Sequence, residues 1–173
     1  MLKGKVCLIT GGNRGIGAAT VQKFAQEHAI VYASARQMGA MDLICREFSE
    51  QYQTQVIPLY FDVTNENEAK NAIMTIKKQQ GRLDVLVNNA GVMQDALIGM
   101  ISNSLMQNVF EVNVFAVMNM IQLANKVMSR QKSGSIINIS SIVGVEGSAG
   151  QMVYSASKGA VIAITKTAAK ELA

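Results

Sequence analysis

Lys5-Val6-Cys7-Leu8-Ile9-Thr10 is a short apolar run, followed at once by Gly11-Gly12-Asn13-Arg14-Gly15-Ile16-Gly17 and then by Ala18-Ala19-Thr20-Val21-Gln22-Lys23-Phe24-Ala25 at helical spacing. An apolar run of this length, ended by a turn, reads as a strand buried on both faces, as in a parallel sheet. A glycine-rich turn between such a strand and a helix lets the backbone approach a pyrophosphate and aims the helix N-terminal N–H groups at it. The glycines are spaced Thr-Gly-x-x-x-Gly-x-Gly rather than Gly-x-Gly-x-x-Gly. A plain tight turn is the alternative; three ordered glycines at one strand–helix junction favour the phosphate cradle.

Outward from this stretch, strands and helices alternate. Ile30 to Ala35, Gln55 to Phe61, Leu83 to Asn88 and Ser135 to Ser140 read as further strands. Asp42 to Gln53, Asn65 to Gln79, Asn108 to Arg130 and Val153 to Leu172 read as helices. The second of these helices has Thr64 or Asn65 as its N-cap and the acidic Glu66 and Glu68 in its first turn. Such alternation implies right-handed crossovers and a parallel sheet, hence an α/β fold of the Rossmann-type, doubly wound kind. Ligands of such sheets bind at the carboxyl ends of the strands.

Composition narrows the function classes. The 173 residues suit a single domain, residues 1–173, with enough chain to bury a core. Apolar residues make up 49% and charged residues 16%, which excludes a disordered chain. The net charge of +4 is spread without a block of like charge, so a mixed solvated surface is expected and nucleic-acid binding is not. Cys7 and Cys45 have no paired spacing and read as reduced thiols. No run of about 18 apolar residues is long enough for a membrane span, and no secretory signal is recognisable; a cytoplasmic protein is expected, with no metal site. The lone histidine, His28, is expected to favour the C-terminus of the first helix.

Near the other end, Tyr154-Ser155-Ala156-Ser157-Lys158 puts a tyrosine and a lysine on one helix face about a turn apart. Ser141 lies thirteen residues before the tyrosine. A free tyrosine, with a pKa of about 10, is a poor acid–base catalyst near neutrality, and a cation beside a phenol favours the phenolate. Moving such a group to neutrality takes about 4 kcal/mol, at about 1.4 kcal/mol per pH unit. Two unit charges about 4 Å apart at an effective dielectric of about 20 interact by a similar amount. The chemistry indicated is proton transfer to or from an alcohol or carbonyl oxygen.

Thr10 to Gly17, Asn88-Asn89-Ala90-Gly91, Ser141, Tyr154 and Lys158 together resemble the short-chain dehydrogenase/reductase family, and the resemblance runs from residue 10 to residue 158. It implies a ketone–alcohol oxidoreductase working by hydride transfer, with Tyr154 as proton donor to the carbonyl, or base in reverse. Lys158 then supports the tyrosine and holds the nicotinamide ribose hydroxyls, and Ser141, rather than the adjacent Ser140, bonds the substrate oxygen. Asn113, in Glu111-Val112-Asn113-Val114-Phe115, matches a family asparagine that holds a water in a proton relay; a local hydrogen bonder in the helix is its alternative. The cofactor contacts implied are Gly11, Asn13, Arg14, Gly15, Ile16 and Gly17 in the first loop, and Asp62 and Val63 at the adenine. Asn89, Ala90 and Gly91 follow at the adenosine ribose, with Tyr154 and Lys158 at the nicotinamide end. Asp62 is otherwise a cap for the next turn, and Asn88 otherwise a tie between strands.

NAD-preferring relatives end the second strand on an acidic residue. Here that end reads Ser34-Ala35-Arg36, with Arg14 in the glycine loop. Two guanidiniums suit a 2′-phosphate, so NADP(H) is the expected cofactor, and a solvated Arg36 the alternative. Gln94 to Met100 and Gly147 to Tyr154 are most similar to the β-ketoacyl-acyl-carrier-protein reductases of the family, which implies a ketone or acyl thioester substrate and a part in fatty acid biosynthesis. Arg130 and Lys132 are placed to attract an acidic carrier protein, although a solvated helix end is the plainer reading. Pairing of two copies through the long helix and the last helix is expected. One departure stands out: the chain stops at Ala173, where family members usually continue with further strands, a Pro-Gly motif and a mobile substrate-covering segment. C-terminal strands are therefore expected to be missing, with one sheet edge uncovered. The alternative function is accordingly a nucleotide-binding or oligomer-forming fragment without turnover, or a reductase of another small ketone.

Overall fold

Val6, Cys7, Leu8 and Ile9 form strand β1 (Val6–Ile9), and all four are buried. Side chains alternate across a strand, so Val6 and Leu8 enter one core while Cys7 and Ile9 enter another. The run is therefore apolar throughout, without polar alternation, because the sheet is covered on both faces.

The computed structural model describes residues 1–173. The other strands are β2 (Ile30–Ala35), β3 (Val56–Tyr60), β4 (Val85–Asn88) and β5 (Ser135–Asn138), and all pairings are parallel in the order β3-β2-β1-β4-β5. Helices α1 (Gly15–Gln26) and α2 (Asp42–Tyr52) give Val21, Ala25 and Cys45 to one core. On the opposite face, α3 (Glu66–Gln80) and α5 (Ala116–Gln131) pack Ile73, Ile76, Met120 and Val127 against Val6, Leu8 and Tyr32. The sheet is doubly wound. The chain crosses from β3 at one edge to β4 on the far side of β1, so the strand order reverses between β1 and β4. A crevice opens there at the carboxyl ends of the strands.

Both edges follow from composition. Pro58 lies in β3, an outer strand, where a missing N–H costs least. At the other edge β5 leaves Ile137 41% exposed, the uncovered edge expected from the sequence.

Several local expectations need correction. The long helix begins at α4 (Asn103–Phe110), five residues before Asn108, because Ser102 caps it by accepting from the Leu105 amide at 3.1 Å. It is also interrupted by a π turn at Glu111–Phe115 before α5 resumes. A four-residue helix, α6 (Val143–Glu146), precedes the last helix, α7 (Met152–Glu171). His28 lies beyond α1 in a left-handed conformation, and its Nδ1 is 3.1 Å from the Tyr52 carbonyl rather than over the end of α1. Asn65 is the N-cap of α3, accepting from the amides of Asn67 and Glu68. No helix is long and apolar enough to cross a membrane. Both cysteines are free and buried. Burial, helped by the Asp84 carboxylate, pushes the Cys7 thiol up to about 12, so it stays protonated and inert.

At the amino ends of β1 and β4, Asp84 is 5% exposed and accepts from the Val6 amide at 2.9 Å and from Arg82 Nε at 2.8 Å, with Lys5 Nζ at 3.7 Å. Burial raises its pKa, but the Arg82 guanidinium, the Val6 amide and Lys5 together outweigh it and hold the carboxyl below its ordinary value. A depressed folded-state pKa stabilises the fold above the unfolded-state value, about 4, and that stabilisation is lost as pH falls through the folded value. Asp84→Asn is expected to cost about 1–3 kcal/mol at pH 7 by urea denaturation. The gap to wild type should close in acid below about pH 4; a gap independent of pH would contradict the ion cluster.

Candidate active site

Thr10 follows β1, where the glycine loop begins. Its buried hydroxyl accepts from the amides of Asn89 and Ala90, each at 3.0 Å, and donates to the Val87 carbonyl at 3.3 Å. Asn89 returns the contact: its Nδ2 donates to the carbonyls of Thr10 and Gly11, both at 3.0 Å. Five hydrogen bonds thus clasp the ends of β1 and β4 across the point where the strand order reverses. Gly17 packs into the clasp so closely that a β-carbon there would lie 2.0 Å from the Gly11 carbonyl oxygen and 2.5 Å from Asn89 Nδ2. Gly11 has φ +64°, and a β-carbon on it would meet Ala90 at 3.0 Å. The glycines are therefore dictated by close approach of loop to strand end as well as by any ligand.

Above the clasp lies a groove of about 540 Å³. Gly11, Asn13, Arg14, Gly15, Ile16 and Gly17 line it, and so do Arg36, Asp62, Val63, Asn89, Ala90 and Gly91. Every cofactor position expected from these four segments is thus brought together. Sequence reading missed Ser34, Ala35, Gln37, Phe61, Val92 and Val112 in the lining. Most of these stand beside the carboxyl ends of β2, β3 and β4, and that position was the available signal.

The groove suits a dinucleotide. Arg14, at the N-cap of α1, makes no capping bond, so first-turn amides remain for an anion. Neither Arg14 nor Arg36 joins any of the ion pairs of the chain, leaving both guanidiniums for a ligand. Asp62 does cap the next turn, with Oδ1 accepting from the Thr64 amide and hydroxyl at 2.9 and 2.8 Å, and it also lines the groove.

Tyr154 and Lys158 lie outside this groove, next to its Gly91 end. A β-carbon on Gly91 would be 3.2 Å from Asn113 Oδ1 and 3.7 Å from Lys158 Nζ, so the residue that lines the groove also touches the second cluster. On α7 the expected stacking holds: Lys158 Nζ is 5.7 Å from the centroid of the Tyr154 ring, within cation–π range. Lys158 is buried, and burial pushes its pKa below the ordinary lysine value.

Asn113 sits in the π turn and is 1% exposed. Its amide is committed to protein: Oδ1 accepts from the Val92 amide at 2.9 Å, and Nδ2 donates to the Val92 carbonyl at 2.9 Å and Ser157 Oγ at 3.0 Å. Both of its N–H donors are used, so the side chain braces the loop after β4 against α7. Asn88 ties β4 to β5 through Asn138, at 2.8 Å, which is the alternative weighed for it above. Ser140 bonds the Lys158 carbonyl, whereas the half-buried Ser141 hydroxyl has no protein partner, so the serine left for a ligand is Ser141.

Comparison with known proteins decides the family: residues 5–173 match the short chain dehydrogenase family. The chain belongs to that family. Its members are oxidoreductases with a nicotinamide cofactor, and this chain carries the glycine loop, the serine and the Tyr–Lys pair in one fold. It is similar to the 3-oxoacyl-acyl-carrier-protein reductase FabG of Thermotoga maritima, at 44% identity over 99% of this chain and 70% of the relative. It is 39% identical to the 3-oxoacyl-acyl-carrier-protein reductase of Synechocystis, over 99% of this chain and 70% of that protein. It is also 38% identical to the FabG of Staphylococcus aureus, over 98% of this chain and 69% of that protein.

Gly17→Ala is expected to lower stability by about 1–3 kcal/mol and to abolish nucleotide binding, read by thermal melting and nicotinamide fluorescence. Wild-type values for both would show that the loop opens freely and that the clasp does not constrain it.

Proposed function

We propose that the chain is an NADPH-dependent reductase that converts a 3-oxoacyl thioester, presented on acyl carrier protein, to the 3-hydroxyacyl thioester. The observation that carries this reading is the juxtaposition at Gly91, which lines the nucleotide groove and abuts Lys158 and Asn113. The names of these relatives support the substrate class.

Each residue then has a distinct task. The loop Gly11 to Gly17 and the N-terminus of α1 bind the pyrophosphate, and Arg14 and Arg36 bind the adenosine 2′-phosphate. Asp62 and Val63 face the adenine, and Asn89, Ala90 and Gly91 hold the adenosine ribose against the end of β4. A nicotinamide reaching past the Gly91 end of this groove would supply a hydride to the carbonyl carbon. Ser141 donates a hydrogen bond to the carbonyl oxygen and holds it in place. Tyr154 gives its hydroxyl proton to that oxygen as negative charge develops there. Lys158 holds the nicotinamide ribose and stabilises the resulting phenolate. Its burial loosens its own proton, which suits it to reprotonate Tyr154. Asn113, its side-chain amide spent on Val92 and Ser157, braces this cluster rather than holding a relay water.

The exposed Phe115 and Met118, on the π turn and α5, support pairing of two copies through the long helix and α7. Two free cysteines suit a reducing cytoplasm. The exposed Arg130, at the end of α5, is offered to an acidic carrier.

Turnover is tested by acetoacetyl-CoA-dependent oxidation of NADPH. Tyr154→Phe should lower kcat by a factor on the order of 100 or more; an unchanged rate would remove Tyr154 as the proton donor. Arg36→Asp should weaken NADPH binding about ten- to a hundredfold and move the preference toward NADH. Unaltered preference would remove Arg36 from the phosphate site.

A further inference from the structure

Lys158 and the end of β5 exchange two hydrogen bonds. Lys158 Nζ donates to the Ile139 carbonyl at 2.8 Å, and Ser140 Oγ donates to the Lys158 carbonyl at 2.8 Å. Beside them α6 and α7 touch through glycine. A β-carbon on Gly144 would lie 2.8 Å from the Gly159 nitrogen and from the Lys158 carbonyl carbon, and one on Gly159 would lie 3.1 Å from the Gly144 oxygen. Farther along α7, Asn138 Nδ2 donates to Thr165 Oγ1 at 2.9 Å.

The Ser140 bond is superfluous for satisfying polar groups. A carbonyl inside a helix already accepts from the amide four residues on, and a serine hydroxyl at a half-buried position has other choices. What the bond does is geometric. Lysine has a long flexible stem, so the position of its ammonium depends on where the main chain of residue 158 is fixed. Ser140 fixes that main chain relative to Ile139, the residue whose carbonyl receives the ammonium. One of the three N–H groups of Nζ is thereby used on the strand, and the other two are left for the Tyr154 and Gly91 side.

We propose that Ser140 is a positioning residue for Lys158, its hydroxyl locking α7 onto the end of β5 beside the Gly144–Gly159 contact so that the ammonium is aimed between Tyr154 and the nucleotide groove. The inference rests on the roles given above to Tyr154 and Lys158. It separates the two adjacent serines by function, with Ser141 facing the substrate and Ser140 facing the helix.

The test compares Ser140→Ala, Ser140→Thr and Thr165→Ala in the full chain. One readout is the NMR resonance of Lys158 with isotope label at lysine Cε, assigned by its loss in Lys158→Arg; the other is the kcat and KM of acetoacetyl-CoA reduction. Ser140→Ala should shift the Lys158 resonance and lower kcat on the order of tenfold, with KM little changed. Ser140→Thr, which keeps the hydroxyl, should restore both. Thr165→Ala, which cuts the neighbouring stitch, should lower the melting temperature but leave the resonance and kcat at wild-type values. An unmoved Lys158 resonance in Ser140→Ala overturns the proposal whatever the rate, and so does a kcat loss that Thr165→Ala reproduces or Ser140→Thr fails to restore. A shifted resonance together with turnover that survives Tyr154→Phe supports the positioning role and removes the proton-donor assignment instead.

Discussion

The clasp between Thr10 and Asn89 is the constraint on which the rest of the site depends. It joins residues 79 apart in sequence, and it does so at the one place where the sheet reverses its strand order. Both polar side chains are spent on backbone groups that strand pairing leaves unsatisfied, which is the usual obligation of buried polar atoms. The consequence is spatial. The glycine loop is pinned against the end of β4, and the segment after β4 then carries Gly91 to Lys158 and Val92 to Asn113. The groove and the Tyr154–Lys158 cluster, which come from opposite ends of the chain, are thereby made neighbours.

A second set of bonds ties the strands to the helices beyond the site. Asn88, Asn138 and Thr165 form a polar ladder from β4 through β5 to α7, and Asn113 and Ser157 connect α7 to the π turn. A π turn appears where one extra residue is fitted into a helix, commonly at functional positions. Here it occurs at the asparagine whose amide is spent on Val92 and Ser157. The helix accommodates the site at that position.

Much of this was legible in the sequence, and the rest was hidden for identifiable reasons. The strand β1, the glycine loop and the Tyr154–Lys158 pair could be read because each is local: apolar runs, φ-permissive residues and a four-residue spacing are visible in a short window. The N-cap at Thr64 or Asn65, which the structure resolves to Asn65, and the missing carboxylate after β2 were readable for the same reason. The π turn was not, since the extra residue it accommodates carries no residue signature of its own in a helical run. Neither the Asn89 clasp nor the Ser140 bond was legible either, because both depend on which distant carbonyl a side chain meets. His28 went to a left-handed turn because α1 ends before it, and helix boundaries are poorly marked when no glycine or proline stands there.

A groove that takes a nicotinamide nucleotide through Arg14 and Arg36 must favour the phosphorylated cofactor. Calorimetric titration of the chain with NADPH and with NADH tests it most directly. Saturable binding of one NADPH per chain is expected, with NADH at least about tenfold weaker because it lacks the phosphate that Arg14 and Arg36 would bind. Absence of saturable heat with either nucleotide, or tighter binding of NADH, would contradict it.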